Sequence, residues 1–125
     1  MKRVLFAGFL LVAFFTQRAA AQTVPHVTAV EFTAEVNLLD AYIGAGNMTA
    51  ANTAWDSVHH MMLHVLGYTK KSIHDAATPA DRTTYTDILS NQRSLYQVIW
   101  PLKTNFTANR TLLHNKLGEF DLTIY

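Results

Sequence analysis

The sequence has 125 residues, with 10 Lys and Arg, 9 Asp and Glu, 6 His and no cysteine. The absence of cysteine excludes disulfides, thiol catalysis, covalently attached c-type haem and a lipid-modified lipoprotein N-terminus. A chain of this length has room for one apolar core, so we expect a single folded domain.

The first 21 residues have the organisation of a secretory signal peptide. Lys2 and Arg3 precede an apolar run over 4–15, and small residues follow at 19–21. We place the cleavage between Ala21 and Gln22, so that residues 22–125 form the mature chain. The apolar run has 12 residues, fewer than the roughly 20 needed to cross a bilayer. We therefore expect a periplasmic or secreted protein that is not inserted in the membrane after cleavage.

Cleavage at this position changes the charge of the protein. Three basic residues are lost with the leader, which leaves 7 of the 10 Lys and Arg against 9 Asp and Glu, a formal charge of −2. A mildly acidic surface does not suit binding to nucleic acid or to an anionic membrane. We expect the partner to be an envelope protein or a small ligand.

Helix-start signals occur at two places in the mature chain. Thr28 and Glu31 have the spacing of a capping box, and Thr78 is followed by Pro79 at the first helical position. The Gly-Ala-Gly-Asn sequence at 44–47 is typical of a helix stop and a tight turn. The predicted helices cover 29–43, 49–75, a segment from about 80, and a segment from about 107 to the C-terminus.

Apolar residues recur every three or four positions within each predicted helix, which is typical of helices with one buried face. The predicted inner positions are Phe32, Val36, Leu39 and Ile43, then Trp55, Val58, Met62, Val65, Leu66 and Ile73, then Tyr85, Ile88, Leu95, Ile99 and Leu102, and finally Leu113, Leu117, Phe120 and Ile124. Pro101 falls within the third set and predicts a kink or break there. The pattern predicts an all-α protein, a small antiparallel up-down four-helix bundle. Two long hairpins with a frayed C-terminus are the alternative.

Histidines concentrate on the second predicted helix. His60 and His64 are one turn apart, so one transition-metal ion (Zn, Cu or Ni) can contact both. Asp56 lies on the same stripe, where its carboxylate can orient His60 or bind the metal directly, and His74 falls close to this stripe. The alternative is that these side chains point away from the core and are tolerated at the surface.

The size, exported location and helical pattern of the chain are similar to those of periplasmic cytochrome b-type four-helix bundles. The resemblance implies haem held between a methionine near the start of the first helix and a histidine near the chain end. His114 lies near the end, but the first predicted helix contains no methionine. His59 and His114 both lie at the edges of apolar helix faces. The alternative to ligand binding is that each histidine lies at the boundary of the core and donates a hydrogen bond there.

Aromatic residues around Pro101 suggest an interaction surface. Tyr96, Trp100 and Phe106 can line a groove opened by a kink, and such a groove can take a peptide or a small apolar ligand. The alternative is that these rings fill the core.

Catalytic motifs are missing from the sequence. It contains no Glu-x-x-His pair, no Gly-x-Ser-x-Gly elbow and no phosphate-binding loop. We therefore predict an exported, non-enzymatic helical-bundle protein without a cofactor that binds a partner in the cell envelope. A transition-metal-binding bundle is the alternative, with b-type haem as a further one.

Overall fold

The chain folds into helices joined by very short connections. The computed structural model describes residues 28–123, and the helices are α1 (Ala29–Gly44), α2 (Met48–Asp75), α3 (Pro79–Ile99) and α4 (Phe106–Gly118). A 3-10 segment, Trp100–Asn105, joins α3 directly to α4. The described residues contain no strand, which confirms the predicted all-α class. They form three helical stretches, the third of which is broken.

The predicted signal peptide at 1–21 and the predicted inner position Ile124 lie outside the described residues. None of the described helices is both long enough and apolar enough to span a membrane.

Threonine side chains cap the N-termini of α1 and α3. The Thr28 hydroxyl accepts from the Glu31 amide, and the Glu31 carboxylate accepts from the Thr28 amide, both at 3.0 Å. This confirms the predicted capping box. The Thr78 hydroxyl likewise accepts from the Asp81 amide at 3.0 Å, so the second predicted start is also confirmed.

The turn between α1 and α2 places Gly46 at a φ of 74°, a conformation that glycine adopts without strain. The Asn47 side chain then caps α2 by accepting from the Ala50 amide at 3.2 Å.

We expect Asn47→Ala to lower the free energy of unfolding by about 0.5–2 kcal/mol, because the first turn of α2 loses its side-chain acceptor. Asn52, which is exposed within the same helix, is the matched control. Asn52→Ala is expected to change stability by less than about 0.5 kcal/mol. Urea unfolding of both variants measures the difference, and equal effects would contradict a capping role for Asn47.

The break predicted at Pro101 is present. α3 ends at Ile99, and the chain tightens into the 3-10 segment because proline lacks the amide needed to continue the α-helix. Asn105 then starts α4 by accepting from the Ala108 amide at 3.0 Å. The proline therefore separates two helices without a loop between them.

Most of the predicted inner positions lie in one core. All four of α1 are buried, as are Leu113, Leu117 and Phe120 at the C-terminal end. The rings of Phe32 and Phe120 stack with centroids 5.9 Å apart. Five predicted inner positions are only half-buried: Leu66, Ile73, Tyr85, Ile88 and Leu102.

Differences in helix length explain why three of those positions, Ile73, Tyr85 and Ile88, are less buried. α2 has 28 residues and α1 has 16, which correspond to about 42 Å and 24 Å. α1 contacts α2 and α4, while α3 contacts α2 and α4. The far end of the α2–α3 hairpin extends past α1, and no residue from 70 to 88 is buried.

An ion pair links α1 to α4. The Arg110 guanidinium donates to both carboxylate oxygens of Asp40, at 2.9 and 3.1 Å. This hydrogen bonding lowers the pKa of Asp40 below its ordinary value. The pair is partly exposed, so it orients the two helices more than it stabilises them.

Candidate functional site

The imidazole of His59 lies between rings from α2 and α3. Its centroid is 5.5 Å from Trp55 and 5.6 Å from Tyr96, and both pairs are nearly parallel. Nε2 of His59 is hydrogen-bonded to the Tyr96 hydroxyl at 2.7 Å. Phe106, at the start of α4, also packs against Trp55, with centroids 6.3 Å apart. We call these four side chains the aromatic stack. It connects three helices at the end of the molecule that contains the 3-10 segment.

The surroundings of His59 favour its neutral form. Partial burial lowers the pKa of His59 below its ordinary value, and nearby positive charge from His60 and Lys103 lowers it further. Asp56 acts in the opposite direction but has the smallest effect of these causes. A neutral ring therefore suits its place between two aromatic side chains.

We expect the protein to lose stability as the pH falls below the ordinary histidine pKa of about 6.5, because the unfolded chain then binds a proton that folded His59 resists. The stability that neutral His59 contributes is complete above about pH 6.5. It is lost as the pH falls from there towards the lower pKa of His59 in the folded protein. Urea unfolding between pH 7.5 and 5 measures the slope. His59→Gln should flatten it, whereas His74→Gln, at an exposed site, should leave this part of the slope in place.

The three rings of the predicted groove have different environments. Phe106 is buried in the core against Trp55, and Tyr96 is half-buried against His59. The Trp100 side chain is 46% exposed on the 3-10 segment. The core alternative thus holds for Phe106, and Trp100 is the ring that remains available at the surface.

The histidine-rich face of α2 differs in detail from the prediction. Nδ1 of His60 lies 2.8 Å from the backbone carbonyl of Asp56, so it is the peptide oxygen that orients the ring, and not the carboxylate. His60 is exposed and His64 is half-buried. Within residues 28–123, no three His, Cys, Asp or Glu side chains are arranged to hold a metal ion.

His74 does not join His60 and His64. α2 is continuous through all three, and ten residues of helix separate His64 from His74 by about 15 Å along the axis. Nδ1 of His74 instead contacts the Asp75 carboxylate at 2.9 Å. His74 therefore lies on a similar side of α2 to His60 and His64, but too far along the helix to bind the same metal ion.

His114 lies in a narrow cleft between α1 and α4 that does not admit a water molecule. Its Nδ1 is buried without a hydrogen-bond partner among the described residues. The cleft walls include the Asp40–Arg110 pair. Among residues 28–123, no cavity of haem size lies beside His114.

Gln92 is a buried polar residue that the sequence interpretation missed. It is fully buried, its Nε2 donates to the Asp121 carbonyl at 2.6 Å, and its Oε1 has no partner in the described chain. A signal was available, because Gln92 continues the inner spacing of Ile88, Leu95 and Ile99. Its contact fastens the segment after α4 to α3.

The described residues thus define an all-helical fold with an aromatic stack at one end and two neighbouring histidines on the outer side of α2. No protein family matches the sequence, and no characterised protein or solved structure matches it either.

Proposed function

We propose that this chain is an exported, non-enzymatic helical-bundle protein that binds a partner in the cell envelope. We further propose that α1 to α4 form an antiparallel four-helix bundle. The contacts support this arrangement, because each of the four helices has two neighbours, in the order α1, α2, α3, α4 and back to α1. The sequence supports export through the leader at 1–21.

The exposure of Trp100 carries the binding proposal. This large ring is 46% exposed on the 3-10 segment. Aromatic residues are enriched at protein interfaces, where a rigid ring contributes a large contact area. The aromatic stack links α2, α3 and α4 close in sequence to Trp100, since Tyr96 and Phe106 lie on either side of the 3-10 segment.

Site-specific cross-linking tests the proposal. A photo-reactive group at the exposed Gln97, three residues before Trp100 and so on its side of the helix, should give one dominant cross-linked species in the protein exported by its natural host, and mass spectrometry identifies that species. With purified components, Trp100→Ala should weaken binding at least tenfold while the melting temperature shifts by no more than a few degrees. Leu112→Ala, an exposed change on α4, should leave binding intact. Unchanged affinity in Trp100→Ala would remove Trp100 from the interface.

Export has a separate readout. The proposal requires the protein to be recovered from the envelope or the medium, with Gln22 or a residue within one or two positions as its N-terminus. An intact Met1 on the cytoplasmic protein would contradict it.

Transition-metal binding is the second candidate, and the position of His60 favours it. A carbonyl oxygen only accepts hydrogen bonds, so the contact with Asp56 places the proton on Nδ1 of His60. Nε2 then presents its lone pair. Metal-bound histidines commonly have their second nitrogen held by a carbonyl in this way. His64, one turn further along, is the second ligand of this proposal.

Metal analysis of the untagged protein, purified without chelators, tests this candidate. Zinc, copper or nickel should be present, and His60→Ala should weaken the affinity for that ion at least tenfold. Unchanged affinity would exclude His60 as a ligand. His74→Ala is the control, because His74 lies too far along α2 to contribute.

A further inference from the structure

The outer face of α2 carries more than two histidines. His60, Leu63, His64 and Gly67 occur at spacings of three, one and three, so they form one stripe on the helix surface. Leu63 is 44% exposed, and His60 and Gly67 are exposed as well. We call these four residues the outer patch. It combines nitrogen ligands, an apolar side chain and a position without a side chain.

No neighbour among residues 28–123 explains why position 67 is a glycine. It lies well inside α2, where glycine is the least favourable residue after proline. A Cβ built on Gly67 would meet nothing within 4 Å in the described part of the chain beyond its own helix and neighbours. A missing side chain on an exposed helix face lets a second helix approach closely, as small residues do at helix contacts in general.

Two histidines are only half of a coordination sphere. Zinc bound at structural sites takes four ligands in a tetrahedron, with Zn–N distances of about 2.0–2.1 Å. The described chain supplies no cluster of three or more suitable side chains. A two-fold symmetric contact through the outer patch would bring two equivalent pairs of histidines together.

We propose that His60 and His64 form half of a tetrahedral zinc site, which the same two histidines of a second copy of this chain complete. The bound ion thereby joins two copies through α2, with Leu63 packing beside it and Gly67 allowing the backbones to approach. This inference rests on the metal-binding candidate above, and it adds the stoichiometry and the partner. One ion serves two chains.

Analytical ultracentrifugation of the untagged mature chain during titration with zinc sulfate tests the proposal. The molar mass should double, with the change complete at one zinc ion per two chains, and EDTA should restore the monomer. His60→Ala and His64→Ala should each abolish the doubling. His74→Ala should retain it, which separates the proposed site from general binding to surface histidines.

A further variant tests the contact itself. Gly67→Gln should weaken zinc-dependent dimerisation at least tenfold while the melting temperature of the monomer stays the same or rises, because glutamine favours the helix. One zinc ion per monomer without a mass change would overturn the bridge but leave metal binding in place. No zinc binding would overturn both. Doubling that survives His60→Ala would overturn the assignment of the site.

Discussion

Trp55→Ala is expected to lower the free energy of unfolding by about 3–5 kcal/mol. Trp55 is 1% exposed and touches both His59 and Phe106, so its removal leaves a large cavity where α2 meets α4. Its indole Nε1 has no hydrogen-bond partner in the described residues, so no lost hydrogen bond adds to this cost. Urea unfolding, monitored by circular dichroism, measures the change in the free energy of unfolding. Trp55→Phe should lose less, because a ring remains in the stack.

Trp100 is the natural control, since the chain contains only two tryptophans. Trp100→Ala is expected to change stability by no more than about 0.5 kcal/mol, as for other surface substitutions. It also leaves Trp55 as the single tryptophan fluorophore, whose emission should be that of a buried indole and should shift to the red on unfolding. Similar losses in the two alanine variants would contradict the core position of Trp55.

Leu113→Ala is expected to cost about 2–5 kcal/mol, because Leu113 is 1% exposed in the core. This variant tests whether α4, which follows the break at Pro101, unfolds together with α1 to α3. A cooperative loss, seen as a lower urea midpoint with an unchanged slope, would support the proposed four-helix bundle.

The adjacent residue gives a matched control of the same type. Leu112 is 45% exposed, and Leu112→Ala is expected to change stability by less than about 1 kcal/mol. If both leucine variants cost little, the C-terminal helix is frayed from the core, and the alternative of two long hairpins becomes the better description.

Local signals were sufficient to predict the helices. The Thr28 and Thr78 caps, the turn before α2 and the break at Pro101 are each determined by residues within one helical turn. Apolar spacing likewise identified the core face of every helix. It could not show how far neighbouring helices extend, and for that reason Ile73 and Ile88 are less buried than predicted.

The candidate site was less predictable because its contacts join distant parts of the chain. The bond between His59 and Tyr96 spans 37 residues, and nothing near either residue indicates it. Phe106 was predicted to line a groove, but Asn105 starts α4 immediately before it and the ring faces Trp55. The spacing of His60 and His64 could be read directly, since a helix fixes it. The contact between the His60 ring and the Asp56 carbonyl could be found only in the structure, because it depends on how the side chain is turned.

The far end of the α2–α3 hairpin lacks buried side chains, and this has a consequence for local dynamics. Segments with few buried contacts open at a lower free energy than the core, without global unfolding. Amides near residues 70–88 should therefore exchange with deuterated water earlier than those around Val58 and Leu113, and limited proteolysis should cut the chain there first. Because this end has few buried contacts, a tag or a fluorophore inserted between Ala76 and Ala77 should leave the Thr78 cap, the aromatic stack and the outer patch intact.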